Sequence, residues 1–211
     1  MRKQSTEVPL RRRDEARALF RNAILEAAEG VFAEQGFHGA RIQDVAERAR
    51  VGVGTVYNHF AQKEDLLRAL IDERTEALLA ELRPVEGEKP DFPSRLTARL
   101  TRVLTFVDTH RSFMQVMMNL GITDRATDGD TRVFAGKSMK RIERFRAAFR
   151  EVVEEGIAAG AIEPLDAGHL AAFLGGAIRA FAVDTLIAEQ APAAERARLI
   201  SRLFLRGAGK R

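Results

Sequence analysis

The chain has 211 residues, with 34 Lys and Arg against 30 Asp and Glu for a formal net charge of +4, and 45% of it is hydrophobic. That is enough to bury a core in one domain or in two small ones, and the absence of Cys excludes disulfides and thiolate metal sites. No amino-terminal run resembles a signal peptide, and no stretch is expected to approach the roughly 18 apolar residues of a membrane span, so a cytoplasmic protein is expected.

Residues 1–13 hold Arg2, Lys3, Arg11, Arg12 and Arg13 against Glu7, a surplus equal to the whole net charge of +4. They read as a disordered basic arm closed by Pro9, able to add phosphate contacts to a nucleic-acid site or to serve only as a solvated tail. From about Arg13 the pattern turns helical. Phe20, Ile24, Ala27, Ala28, Val31 and Phe32 recur on one face, and Arg17, Arg21, Glu26 and Glu29 take the other. Gly36 ends this helix and Phe37 follows as a buried anchor.

Over residues 41–49, Ile42, Val45, Ala46 and Ala49 are spaced to share an inner face, and residues 50–52 break the pattern. Over residues 53–60 a second short helix turns Val56 and Phe60 inward and leaves Thr55, Tyr57, Asn58 and His59 mostly outward. Two short helices with a tight turn between them describe a helix-turn-helix, whose second helix fits the DNA major groove and needs donors and acceptors on its exposed face. A fourth helix opens near residue 62 with Glu64 and Asp65 in its first turn, suiting the positive end of the helix dipole. Leu66, Leu67, Leu70, Ile71, Leu78 and Leu79 give it a long apolar stripe.

Pro84, Gly87, Pro90 and Pro93 mark the clearest loop, and beyond it every long segment is helical in pattern. Helices are expected over residues 92–109, 111–120 and 131–158, the last carrying Phe134, Ile142, Phe145, Phe149, Val152 and Val153. Asp166 is placed to cap a helix running to about residue 189, and Pro192 to start a final one that ends near residue 206. The helix after Asp166 has almost no polar face. It and the last helix are therefore expected to pair with their copies in a second subunit through Leu170, Phe173, Leu174, Ala177, Ile178, Phe181, Leu199 and Leu203. A core helix within one chain is the other reading.

The run Gly36-Phe37, then Ile42-x-x-Val45-Ala46, then Val51-x-x-Gly54-Thr55-Val56-Tyr57-x-His59-Phe60-x-x-Lys63-Glu64-x-Leu66-Leu67 resembles the amino-terminal domain of the TetR family of bacterial transcriptional regulators. The resemblance covers about the first third of the chain. Three positions depart from the family pattern. Ala40-Arg41 stands where a Thr or Ser usually caps the first motif helix, Arg50 replaces a turn Gly, and Gly52 replaces a Ser before the recognition helix. None removes a DNA-facing side chain, so local stability is affected more than function.

The residues expected to meet DNA are Arg41, Gln43, Val53, Thr55, Tyr57, Asn58, His59 and Lys63. Arg41 and Gln43 can reach a phosphate and a base edge, and Val53 and Thr55 can meet a thymine methyl or donate a hydrogen bond. Tyr57, Asn58 and His59 suit phosphates and neighbouring bases, and Lys63 with the free N–H groups of its helix start suits a phosphate. In its all-helical layout the remainder resembles the family's ligand-binding and dimerisation domain. There Phe106, His110, Met114, Met117, Met118, Phe145, Phe149 and Phe173 are candidates to line an effector cavity, or are simply core.

Other chemistries lack their residues. His110, Met114 and Met118 share a face but have no thiolate or second His for a metal, and residues 124–130 lack the ligand spacing of a calcium loop, reading instead as a turn. Gly52 and Gly54 lack the strand of a dinucleotide loop, and neither His59 nor Asp44 has a nucleophile beside it, so neither a cofactor nor an enzyme is expected. The expected fold is all-α, with about nine helices. It comprises an arm over residues 1–13, a helix-turn-helix domain over 14–62 and a helical effector-binding and dimerisation domain over 63–211. The expected function is a ligand-responsive repressor that binds a palindromic double-stranded operator as a homodimer and is released by a small molecule. The alternatives are a DNA-binding regulator without an effector, and a helical carrier or enzyme with a vestigial DNA-binding head.

Overall fold

A computed structural model describes the backbone of residues 7–120 and 132–208, and the side chains of residues 14–120 and 140–208. The calcium-like run at 124–130 and the Phe134 side chain lie outside the described residues. Among those described there are nine helices and no strand, as the sequence predicts: α1 (Glu7–Gly39), α2 (Ile42–Arg48), α3 (Val53–His59), α4 (Lys63–Ala80), α5 (Phe92–Thr109), α6 (Arg111–Asn119), α7 (Arg132–Ala158), α8 (Ala167–Ile187) and α9 (Ala193–Ala208). The chain divides into two compact units, Met1–Glu73 and Arg74–Arg211.

The first unit ends eleven residues later than the sequence reading places it, at Glu73 rather than residue 62. The reason is α4, whose Leu66, Leu67, Leu70 and Ile71 are all buried. They complete a core with Ile24, Leu25, Ala28, Val31 and Phe32 of α1, Val45 and Ala46 of α2, and Val56 of α3. Two further expectations at the amino end are corrected. Helix α1 begins at Glu7, so residues 7–13 are helical rather than a disordered arm, and Pro9 sits in the first turn, where its missing N–H leaves no helical bond unmade. Phe20 is half exposed, because the core starts a turn later at Ile24, and Glu29, expected outward, is buried. Gly36 breaks α1 with φ 69° and ψ 165°, a conformation natural only to glycine.

The turn between α2 and α3 closes through two bonds of a Schellman motif: the Val51 N–H donates to the Ala46 carbonyl at 3.0 Å and the Arg50 N–H to that of Glu47 at 3.0 Å. This places Arg50 in the left-handed region at φ 55°, the strain expected of a Cβ-bearing residue at a glycine position. Arg41 and Gly52 are the N-caps of α2 and α3, and neither helix start receives a side-chain bond. The α2 end is instead fastened to α1 by Arg48, whose guanidinium donates to both carboxylate oxygens of Glu34 at 2.7 and 2.8 Å.

In the second unit α5 packs chiefly on α9, and α7 on α8. Leu96, Leu100 and Leu104 meet Val152 and Val153, Leu174 and Ile178, and Ile200 and Phe204 in one core. The loop marked by prolines ends at Asp91, whose carboxylate accepts the Ser94 N–H at 2.8 Å and caps α5. Asp166 caps α8 as expected, accepting the His169 N–H at 2.7 Å. Gly156 of α7 is buried where the chain turns back, its carbonyl accepting the Ala161 and Ile162 N–H groups at 2.9 and 3.1 Å. A Cβ there would lie 2.5 Å from Ile162 Cδ1 and 2.6 Å from the Phe92 ring.

An ion-pair network fastens the loop before α5. Arg99, 3% exposed, donates to both Glu88 oxygens at 3.0 and 2.6 Å and to Glu155 of α7 at 2.5 Å, while Arg95 holds the other Glu155 oxygen at 2.7 Å. The Arg99 guanidinium, helped by Arg102, holds the Glu88 carboxyl below the usual carboxylate range.

Helix α8 departs from expectation in composition. It does reach the length and apolarity of a membrane span, with a mean hydropathy of 1.6, because its Ala and Gly content adds to the larger apolar residues around only two charges, Arg179 and Asp184. One face, with Ala171, Leu174, Ile178 and Ala182, is buried in the unit's own core. The opposite face carries Phe173, 64% exposed, and α9 adds Leu199 and Leu203.

Candidate nucleic-acid interface

The motif positions the candidate residues by burying their neighbours. Val56 at the centre of α3 and Phe60 just after it are buried, which fixes the rotation of the helix and turns Gly54, Tyr57 and Asn58 outward. Tyr57 is 50% exposed although aromatic, and Val53, Thr55 and His59 flank the outward row half-buried. On α2, Arg41 and Gln43 are exposed beside the buried Ile42. All eight predicted residues are thus at least partly exposed, and for seven of them, on or at the start of two adjoining helices, nothing holds the side chain away from a DNA partner as it does at Lys63. A helix of seven residues is about 10 Å long, a length that fits within a major groove about 12 Å wide.

Lys63 is the exception. Its ammonium donates to the carbonyls of Phe37 at 2.7 Å, Ala40 at 2.9 Å and His38 at 3.3 Å, and lies 4.7 Å from the centre of the Phe37 ring. An ammonium has three donors. All three are engaged within the protein, so the expected phosphate grip is replaced by a clasp between the start of α4 and the turn after α1. The sequence does carry a signal for it, since helix breakage at Gly36 leaves the last α1 carbonyls without partners.

Arg17 and Arg21, which the sequence places only on the solvent face of α1, bear on the site. Partial burial and then the nearby charges of Arg17 and Arg21 push the His59 imidazole below its ordinary value. Arg21 also pairs with Glu73 and lies 5.8 Å from the Phe60 ring centre. Their one-turn spacing on α1 is the signal that could have found them.

The effector candidates are not brought together. Phe106 and His110 pair ring to ring at 4.3 Å, Phe149 is filled core, Met114, Met117, Met118 and Phe145 are half-buried, and Phe173 faces outward. A cavity of about 300 Å³ opens instead among the end of α4, α5 and α7, lined by Leu79, Leu82, Arg83, Arg99, Ala148 and Val152 among others, and none of the eight lines it. On the predicted interface, Leu174 and Ile178 are corrected: they are buried in their own chain's core, one side of α8 away from Phe173.

Two adjoining short helices with a polar outward row define a helix-turn-helix protein. Residues 24–70 match the family described as "Bacterial regulatory proteins, tetR family". The chain is 30% identical to the HTH-type transcriptional regulator YhgD of Bacillus subtilis over 148 residues, 68% of this chain and 72% of that protein. The chain belongs to the TetR family. Over 68 residues it is 41% identical to the HTH-type transcriptional regulator UidR of Escherichia coli, a match that spans 32% of this chain and 35% of UidR's length. Among solved structures, the transcriptional regulator FadR of Bacillus subtilis in complex with stearoyl-CoA has the same fold, with a TM-score of 0.71 at 21% identity over 88% of this chain and 97% of that one.

Proposed function

We propose that the protein is a homodimeric transcriptional repressor that places α3 of each subunit in successive major grooves of a partly palindromic operator, acting in the cytoplasm and released by a small-molecule effector. The observation that carries the reading is the outward row of α3, where Tyr57 stays 50% exposed beside Asn58 with no fold requirement for either. Phe173, Leu199 and Leu203 support the dimer, since these large apolar side chains are left partly or largely uncovered on α8 and α9. Two-fold pairing would set the recognition helices about 34–36 Å apart, or a multiple of that.

The cavity at the end of α4 supports an effector. Its volume of about 300 Å³ falls at the lower end of the range for small-molecule sites. The FadR neighbour is in complex with stearoyl-CoA, which makes acyl-CoA thioesters the first ligands to try. Footprinting on the intergenic region upstream of its own gene tests the operator reading: a protected, two-fold symmetric site that clears on adding acyl-CoA supports it. Protection that no ligand clears would favour a regulator without an effector. Bound ligand or turnover that Thr55→Ala leaves untouched, with no protected fragment, would favour a carrier or enzyme.

A further inference from the structure

The cavity among the end of α4, α5 and α7 has a lining that a purely aliphatic ligand does not call for, since five of its eleven lining residues are charged. Helix α7 supplies one stripe to it, Arg144, Ala147, Ala148, Glu151, Val152 and Glu155, at the spacing of a single helix face. Three of the five charges are answered within the protein. Arg144 pairs with Glu76 of α4, and Arg99 and Glu155 hold each other at 2.5 Å. Arg83, in the turn after α4, and Glu151, on α7, are exposed and have no ion pair or side-chain hydrogen bond among the described residues. The α4 side of the cavity thus offers a guanidinium and the α7 side a carboxylate, while Leu79, Leu82, Ala148 and Val152 give the same cavity apolar surface.

We infer that this cavity takes a small zwitterion with an apolar body, its carboxylate on Arg83 and its ammonium on Glu151. This rests on the effector reading above and names the chemistry of that site's ligand. A guanidinium presents its N–H donors as a fork that fits a carboxylate, and a carboxylate in turn accepts from an ammonium. Neither side chain has to give up a partner inside the protein first. The apolar residues favour a ligand body that leaves water on binding, and the volume of about 300 Å³ keeps that body small. A ligand with one charge would engage one side only.

The test uses the full chain and isothermal titration calorimetry with two zwitterions that bracket the spacing of the charges, L-phenylalanine and 6-aminohexanoate. Each is run beside the analogues that lack one charge: 3-phenylpropanoate and phenethylamine for the first, hexanoate and hexylamine for the second. At least one zwitterion should bind, and its two analogues should bind about tenfold more weakly, the size of one charge-assisted bond. Arg83→Gln should weaken the zwitterion by the same factor and leave its amine analogue unmoved; Glu151→Gln should weaken it likewise and leave the carboxylate analogue unmoved. Analogues that bind as tightly as their zwitterion would overturn the inference, as would variants that leave the zwitterion unmoved or weaken all three compounds alike. Binding of neither zwitterion would overturn it too. In that case octanoyl-CoA that binds and clears the operator leaves the effector reading standing, and failure of octanoyl-CoA as well removes both.

Discussion

Lys63 donates to the Phe37 carbonyl at 2.7 Å while its ammonium rests 4.7 Å from the centre of the same residue's ring. One residue therefore both accepts the hydrogen bond and faces the cation, and Ala40 and His38 take the remaining donors. A lysine so held closes the head of the molecule from within. Lys63→Ala should lower stability by about 1–2 kcal/mol, since charge-assisted bonds at a partly exposed site are worth a little more than neutral ones. Thermal melting checks this. A variant that keeps its melting temperature but shows a salt slope shallower by about 0.9 would return Lys63 to the phosphate role.

Glu88 and Arg99 make a second inward pair, 10% and 3% exposed, holding the proline-rich loop to α5. Glu88→Gln should cost about 2 kcal/mol, because the Arg99 charge stays buried with only Glu155 to answer it. The sign of the pH effect follows from the lowered Glu88 value. The unfolded carboxyl binds its proton first as pH falls, so the stabilisation is complete above the ordinary carboxylate range and is lost as pH drops through the lowered folded value. Urea melts between pH 7 and 3 should show a shallower acid limb for the variant.

Arg50 has φ 55°, which costs an L-residue about 1 kcal/mol and a glycine almost nothing. Glycine also adds freedom to the unfolded chain, so the net gain from Arg50→Gly should be about 0.5 kcal/mol. The melting temperature should rise by about 1–2 °C. A fall would mean that the Arg50 side chain contributes more than its backbone costs.

Phe173 on α8 and Leu203 on α9 are 64% and 59% exposed. If they meet a second subunit, Phe173→Asp places a charge in a desolvated contact and should shift the protein to monomer in sedimentation velocity, weakening operator binding at least tenfold. Leu174→Ala, by contrast, removes buried core and should cost about 2–4 kcal/mol without separating dimers first. A dimer that survives Phe173→Asp would move the interface elsewhere.

Much of the fold was legible because helix starts and stops are written locally. Asp166 caps α8 through a bond to His169 three residues on and Gly36 breaks α1 through its own dihedral angles, and the ends they set fall within a few residues of those expected. The exposed candidates on α2 and α3 were legible for the same reason: burial of Ile42 and Val56 follows from spacing alone. What escaped depends on neighbours distant in sequence. Nothing near Lys63 says that carbonyls more than twenty residues earlier lack partners. Helical periodicity could show that α8 is apolar all round, but not that Leu174 and Ile178 face inward while Phe173 does not. Likewise the α4–α5–α7 cavity depends on where three helices meet, so aromatic content pointed to Phe106 and Phe149 instead.

Gly156 bears on the engineering of such a chain. Glycine within a helix is ordinarily the first residue an engineer replaces with alanine, for a gain of about 0.5–1 kcal/mol. Here the added methyl would arrive 2.5 Å from Ile162 and 2.6 Å from Phe92, two atoms of a packed interior rather than the tips of mobile surface groups. Stabilisation schemes that score one position at a time would rank that exchange highly and make the protein worse.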